Sequence, residues 1–356
     1  MQGLSDDIAL HREFVAPRSP AYARTLDLLA ERIDGEFGVR LGEAWREREF
    51  GPFFERPLLL LTAFRDDALR EGEGHPLWPG IGTYDPDPDA VTPSALDAAA
   101  EADREHLWHS LSTRFVQTNE SSRAVAWLWP AALAAAADPE RPVELFDFGA
   151  SAGLNLVADG LPWIWDRTDG KALDPTSLPP IAARAGYDLR PLDLLDPEDV
   201  RWLRALLWPG QHDRMERFEQ GLDAYRGLSA SGEIGPVEVE SVDDAAAALP
   251  PHSAAGPRGL AYHSIMHDYL PDEVRDRFHA AKRAWLAASD AGAAIWVEFE
   301  LTGGGDRPEN AVAITVNLAT GDGFDAFVIA RCGPHPRVLE VDDEAVEGLR
   351  EALAAN

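Results

Sequence analysis

Cysteine is nearly absent: Cys332 stands alone in 356 residues, so no disulfide can form within the chain. Long apolar runs are missing too. The most extended, 58–64 and 124–137, fall short of the roughly 20 residues a bilayer span requires, and Pro130 interrupts the second. Positive charge is scarce, with 32 Lys and Arg against 62 Asp and Glu and a net charge of −30. Such a field repels phosphate backbones and anionic lipid, and no clustered basic patch offsets it, which argues against nucleic acid and membrane surfaces as partners. The first residues, Met1 to Asp7, lack the basic start and apolar stretch of a secretion signal. The expected location is cytoplasmic.

At this length about 75% of the unfolded surface is buried on folding, enough for a large core without metal or disulfide staples. Residues 1–138 read as helical. Leu26, Leu29, Ala30 and Ile33 recur at helical spacing, and a second apolar stripe runs from Phe53 to Leu69. The Gly-, Pro- and Asp-rich stretch 72–93 predicts a long loop, after which Ser94 is expected to cap a helix running to about Phe115. Another helix is expected from Ser121 to Ala137.

From residue 139 to 356 the pattern alternates. The short apolar run 143–148 and the later runs 186–189, 237–242, 259–263, 294–301, 311–318 and 324–331 predict strands. Helical stretches 199–207, 214–225 and 272–288 lie between most of them. The expected fold is α/β, a doubly wound, mostly parallel Rossmann-like sheet preceded by an all-helical N-terminal region. Only Thr320-Gly321-Asp322-Gly323 separates the last two strands, so they are expected to form an antiparallel C-terminal hairpin.

The most informative segment is Asp147-Phe148-Gly149-Ala150-Ser151-Ala152-Gly153. A first strand turning sharply into a helix presents backbone amides at its carboxyl end, where small residues admit a ligand. The dinucleotide pattern G-x-G-x-x-G needs glycine at 154, where Leu154 stands. An acid two residues before the first glycine, with small residues at alternate positions, resembles the D-x-G-x-G-x-G turn of class I S-adenosylmethionine-dependent methyltransferases, with Ser151 in place of the middle glycine.

That resemblance implies that Asp147 orients the cofactor amino group while Gly149, Ala150, Ser151, Gly153 and Asn155 line its methionine part. By the same resemblance Asp188, after Ala185-Gly186-Tyr187, receives the ribose hydroxyls, and Asp243, with Asp244 as the alternative, lies beside adenine. As an alternative, Asp188 caps the helix that follows. The longer gap between Asp147 and Asp188 points to an insertion around 159–180.

Phe115 to Arg123 before the turn, Trp202-Leu203-Arg204-Ala205-Leu206-Leu207-Trp208-Pro209, and Tyr262-His263-Ser264 extend the likeness over nearly the whole chain. Together these segments resemble a bacterial family catalogued as domain of unknown function 2332, grouped with methyltransferase-like folds. A methyltransferase using S-adenosylmethionine on a small, non-anionic acceptor is therefore the expected function. The alternatives are a non-catalytic S-adenosylmethionine-binding module and a serine hydrolase.

Candidate chemistry centres on 260–269, which begins as a strand and places His263 at its carboxyl end beside the expected substrate crevice. His263 is the first candidate base, with His267 and Tyr269 as substrate contacts; the plain alternative is that His263 only ties down a loop. Upstream, Gln117, Thr118, Asn119, Glu120 and Arg123 form a dense polar cluster able to cover the cofactor, or Glu120 and Arg123 form an ordinary ion pair. Glu298 and Glu300 share one strand face and line either the pocket or a helix. His263/His267 and His106/His109 have spacings that a metal could use, but no third ligand or H-E-x-x-H motif accompanies them, so no metal is expected. The letters Gly149-x-Ser151-x-Gly153 also match a hydrolase nucleophile turn, with His263, His279 or His335 and Asp243 or Glu298 to complete a triad.

Overall fold

The computed structural model describes residues 3–51, 53–117, 120–162, 164–175, 177–229, 234, 236–302 and 311–355. Contacts divide the chain into two units, Met1–Thr118 with Leu195–Phe218 and Asn119–Leu194 with Glu219–Asn356. This division departs from the 138/139 boundary read in the sequence. Segment 195–218 packs with the N-terminal helices, while the helix at 125–137 packs on the sheet.

The first unit holds α1 (Leu4–Val15), α2 (Pro20–Ala30), α3 (Glu36–Ala44), α4 (Glu55–Glu71), α5 (Pro93–Ala99) and α6 (Glu105–Thr113). Helix α8 (Pro197–Leu206) joins them by packing on α4. The cap of α5 is Thr92, whose hydroxyl accepts from Ala95 N at 3.1 Å. Ser94 is displaced from that role because Pro93, which needs no amide partner, occupies the first helical position. The single long helix expected from 95 to 115 is two helices, broken between 99 and 105.

The second unit is a ten-stranded mixed sheet: β1 (Val143–Phe148), β2 (Trp165–Arg167), β3 (Ala172–Leu173), β4 (Ile181–Asp188), β5 (Pro236–Glu238), β6 (Arg258–Ser264), β7 (Ala294–Leu301), β8 (Val312–Ala319), β9 (Phe324–Cys332) and β10 (Val338–Val341). Its spatial order is β3-β2-β10-β9-β8-β7-β6-β1-β4-β5. Strands β5, β4, β1, β6 and β7 are parallel. The hairpin β8–β9 forms as expected, and β8 also runs antiparallel to β7. The insertion after β1 supplies β2 and β3, which extend the far edge beside β10.

Both faces of the sheet are covered. Val143, Leu145, Leu260, Ile295, Val297 and Phe299 pack with α7 (Val125–Ala137) on one face. Phe146, Phe148, Ala261, Trp296, Phe278 and Trp285 build the other core with α10 (Val242–Ala247) and α11 (Asp272–Ala288). Helices α9 (His212–Ser229) and α12 (Asp343–Ala354) complete the chain. Each large side chain buried here contributes about 1.5–3 kcal/mol, which accounts for near-continuous apolar strands rather than alternating ones. Among the described residues no helix is long and apolar enough to cross a membrane.

Cys332 is fully buried at the end of β9, and burial pushes its thiol up to about 12. The thiolate that alkylating reagents need is therefore withheld. Native chain treated with iodoacetamide at pH 8 is expected to label only as fast as it unfolds. Complete labelling within minutes, with no loss of near-ultraviolet dichroism, would contradict this.

Candidate functional site

Apart from the β2–β3 insertion, the chain moves outward from β1 to β4 and β5, then returns to β6 on the other side of β1. The reversal makes the carboxyl ends of β1 and β6 a topological switch point, where open α/β sheets bind ligands in a crevice. Phe148 and His263 are register partners, so the glycine turn and the loop after Ser264 flank that point. Among the described residues only Ser151 (φ 53°) and Ile265 (φ 47°) are non-glycine positions in the left-handed region. One lies in each of these two turns. Backbone strain persists only where surroundings over-determine it, and its pairing at the switch point singles this edge out as the candidate site.

The turn is more closed than its sequence predicts. Gly149 N and Ala150 N both donate to Tyr187 O, at 2.8 and 3.2 Å, and Gly153 N donates to Ala150 O at 2.8 Å. Ser151 N donates to Asp188 Oδ2 at 2.8 Å. Thus four amides expected to face a ligand are paired inside the protein. A side chain at Gly149 would meet Met266, and one at Gly153 would meet Pro236 and Leu156. The turn is therefore no anion cradle. Two polar atoms remain: among the described residues, Ser151 Oγ and Asn155 Oδ1 are buried with no hydrogen-bond partner. Their residues are 6% and 7% exposed, where an unmade bond costs about 1–3 kcal/mol.

The acids expected to serve the site are each engaged within the protein. Asp147 is buried and accepts from Tyr262 Oη at 2.6 Å. Burial raises its carboxyl to about 8 against the lowering effect of that bond, and the charge of Asp188 adds to the rise. Asp188 ends β4 as expected and also accepts from Arg190 N at 2.9 Å. Asp243 does not end a strand: β5 stops at Glu238, and Asp243 sits in the first turn of α10, accepting from Ser241 Oγ and from Arg277 Nε at 2.6 Å. Glu120 accepts from Ser122 Oγ at 2.7 Å and lies 3.0 Å from His335 Nδ1. Arg123 donates to Pro334 O at 3.0 Å. Thr118 and Asn119 lie outside the described residues.

His263 is fully buried. Its Nδ1 accepts from Trp296 Nε1 at 3.0 Å, and its Nε2 is 3.0 Å from His267 Nε2. With both ring nitrogens engaged, His263 reaches a substrate only through His267, whose side chain is 17% exposed. Tyr269 is 41% exposed. Glu300, which the sequence placed only by alternation, proves central. Its carboxyl accepts from Met266 N at 2.8 Å and lies 3.5 Å from His267 N, pinning the strained loop. Burial raises it to about 8, more than these amides and Arg123 lower it.

His263, His267 and Glu298 bring three ligand atoms within 4.8 Å of one another, an arrangement that could in principle hold a cation. Two features oppose it. Glu298 is already held by Lys282 Nζ and, at 2.9 Å, by Asn317 Nδ2. The Trp296 N–H occupies the Nδ1 lone pair of His263, so the ring hydrogen lies on Nε2, where the metal would have to bind. No triad forms among the described residues either. Ser151 Oγ has no partner there, and the acids expected to serve it, Asp243 and Glu298, hold Arg277 and Lys282 instead.

A family model described as an uncharacterised protein conserved in bacteria, DUF2332, matches residues 11–341. No curated protein and no solved structure matches the chain.

Proposed function

The chain belongs to that family, and we propose that it binds S-adenosylmethionine at the β1/β6 crevice and transfers its methyl group to a small, non-anionic acceptor. The observation that carries this reading is the pair of orphaned atoms, Ser151 Oγ and Asn155 Oδ1, on the turn beside the switch point. A buried polar atom without a partner is restored by a ligand that brings one. The setting selects the ligand's charge. Four turn amides are consumed and the Asp188 carboxylate stands on the turn, which suits a cationic or zwitterionic group and disfavours phosphate.

In this reading Ser151 Oγ and Asn155 Oδ1 hold the amino-acid portion, Gly149, Ala150 and Gly153, whose amides are paired, only shape the turn that carries them, and Asp147 lies beneath. Asp188, whose carboxylate is a multiple acceptor, suits the ribose hydroxyls. Asp243, already committed to Arg277, is left a lesser part beside adenine. Glu120 and Arg123 cover the site from the N-terminal side, with Asn119 in the same stretch. When bound, the cofactor supplies an electrophilic methyl group on sulfur. The chain's own task is to align an acceptor opposite it and exclude water. The half-buried His267 and the exposed Tyr269 take that part in this reading, with His263 behind His267.

Titration calorimetry with S-adenosylmethionine and S-adenosylhomocysteine tests the proposal. Saturable heat is expected with both, weakened about 10-fold in Ser151→Ala and in Asn155→Ala, as one hydrogen bond is worth. Absence of heat with either compound overturns it. The positive φ of Ser151 also favours one other reading, the strained nucleophile of a hydrolase. Stoichiometric labelling by a fluorophosphonate, lost in Ser151→Ala, would replace methyl transfer with that chemistry.

A further inference from the structure

The indole N–H of Trp296 can only donate, and it is aimed at His263 Nδ1 from 3.0 Å. That nitrogen must carry a lone pair, which puts the hydrogen of neutral His263 on Nε2. Facing it at 3.0 Å, His267 Nε2 must then accept, which leaves the hydrogen of neutral His267 on Nδ1. We propose that Trp296 and His263 are positioning residues that fix this tautomer, so that His267 meets its ligand as a donor through Nδ1–H. The atom received there is a lone-pair oxygen such as that of a neutral carbonyl.

Both rings are neutral at pH 7. Burial drives His263 well below its ordinary range, and the neighbouring His267, Lys282 and His279 add to this. Burial likewise lowers His267 to about 4, with His279, Arg275 and Lys282 opposing its charge and Glu298 favouring it. The hydrogen on Nδ1 is not spent inside the protein on Glu300, whose Oε2 is 3.9 Å away, beyond hydrogen-bond range. The arrangement is directional because its first member cannot reverse: a tryptophan offers no acceptor. It assigns His267 a role opposite to that of a resting base, and it stands whichever cofactor the crevice takes.

Long-range 15N–1H correlation spectra of histidine-labelled chain at pH 7 read each tautomer directly. Expected are a lone-pair Nδ1 and protonated Nε2 on His263, with the reverse on His267. His263→Gln offers the same acceptor and donor and is expected to keep His267 in its form. His263→Leu and Trp296→Phe are expected to give a mixture at His267. Titration with acetamide is expected to move the His267 Nδ1 proton downfield. A lone-pair Nδ1 on wild-type His267, unchanged tautomers in Trp296→Phe, no response to acetamide, or a stoichiometric metal released from purified chain by chelator each overturn the assignment.

Discussion

Between pH 6.5 and 8 the native chain is expected to lose on the order of 3 kcal/mol of stability, and Asp147→Asn and Glu300→Gln are each expected to remove about half of that loss. Both carboxyls are buried and raised to about 8 in the folded state, whereas in the unfolded chain they titrate near 4. Above the unfolded value the native state therefore holds protons that the unfolded state has released. Stability falls by about 1.4 kcal/mol per pH unit for each group until the folded value is reached, and then levels off. Histidines act in the opposite sense below this window. His263, His267 and His279 are all lowered by burial, so their contribution is lost as pH falls below about 6.5. A maximum near pH 6.5 follows, and only its alkaline flank belongs to the carboxyls. The amide that Asp147→Asn introduces can still accept from Tyr262, and the one that Glu300→Gln introduces can still accept from Met266 N, so the variants copy the protonated shape. Urea unfolding of the three chains at pH 6.5, 7, 7.5 and 8 gives the slopes. Parallel slopes would mean that neither group is protonated in the native chain.

The same groups show what the sequence could and could not convey. The strand at 143–148, the turn at 149–153 and the strand at 294–301 are written in local composition, and they form where expected. So is the position of His263 at a strand end, since apolar runs and punctuating glycines are local signals. That His263 is sealed between Trp296 and His267 is not local. It follows from the pairing of β6 with β7, which no periodicity records. Glu300 was visible as an alternating acid on a strand, but its grip on the loop after β6 depends on the strain at Ile265. The paired amides of the glycine turn arise because Tyr187 and Asp188 on β4 reach across to them. Asp243 misled for a different reason. An alternating acidic run resembles a strand, but an exposed edge with little apolar surface to bury pairs over only three residues.

The largest mutational effect is expected in the helical unit, at Asp66 on α4. Arg65, Asp66 and Asp67 are all buried. Asp66 is 1% exposed and receives Arg201 Nε at 2.8 Å, His106 Nε2 at 2.6 Å and Ser110 Oγ at 3.3 Å. One carboxylate therefore joins α4 to α6 and to α8, and it helps explain why segment 195–218 belongs with the N-terminal helices. Asp66→Ala leaves a partly buried guanidinium without its counter-charge and a histidine without its partner. Removing one member of such a pair costs about 3–5 kcal/mol, because desolvation of the survivor is no longer offset. Asp66→Asn keeps an acceptor and is expected to cost less. The pair is not intrinsically stabilising, since an apolar replacement of both members can be neutral. Asp66→Ala combined with Arg201→Met is therefore expected to recover more than half of the single-variant loss. Guanidinium unfolding followed by tryptophan fluorescence, with Trp108 and Trp202 in this unit as reporters, measures all four chains. A loss below about 1 kcal/mol in Asp66→Ala, or a double variant worse than the single, would show that α4 is held by its leucines alone and that the charges merely tolerate burial.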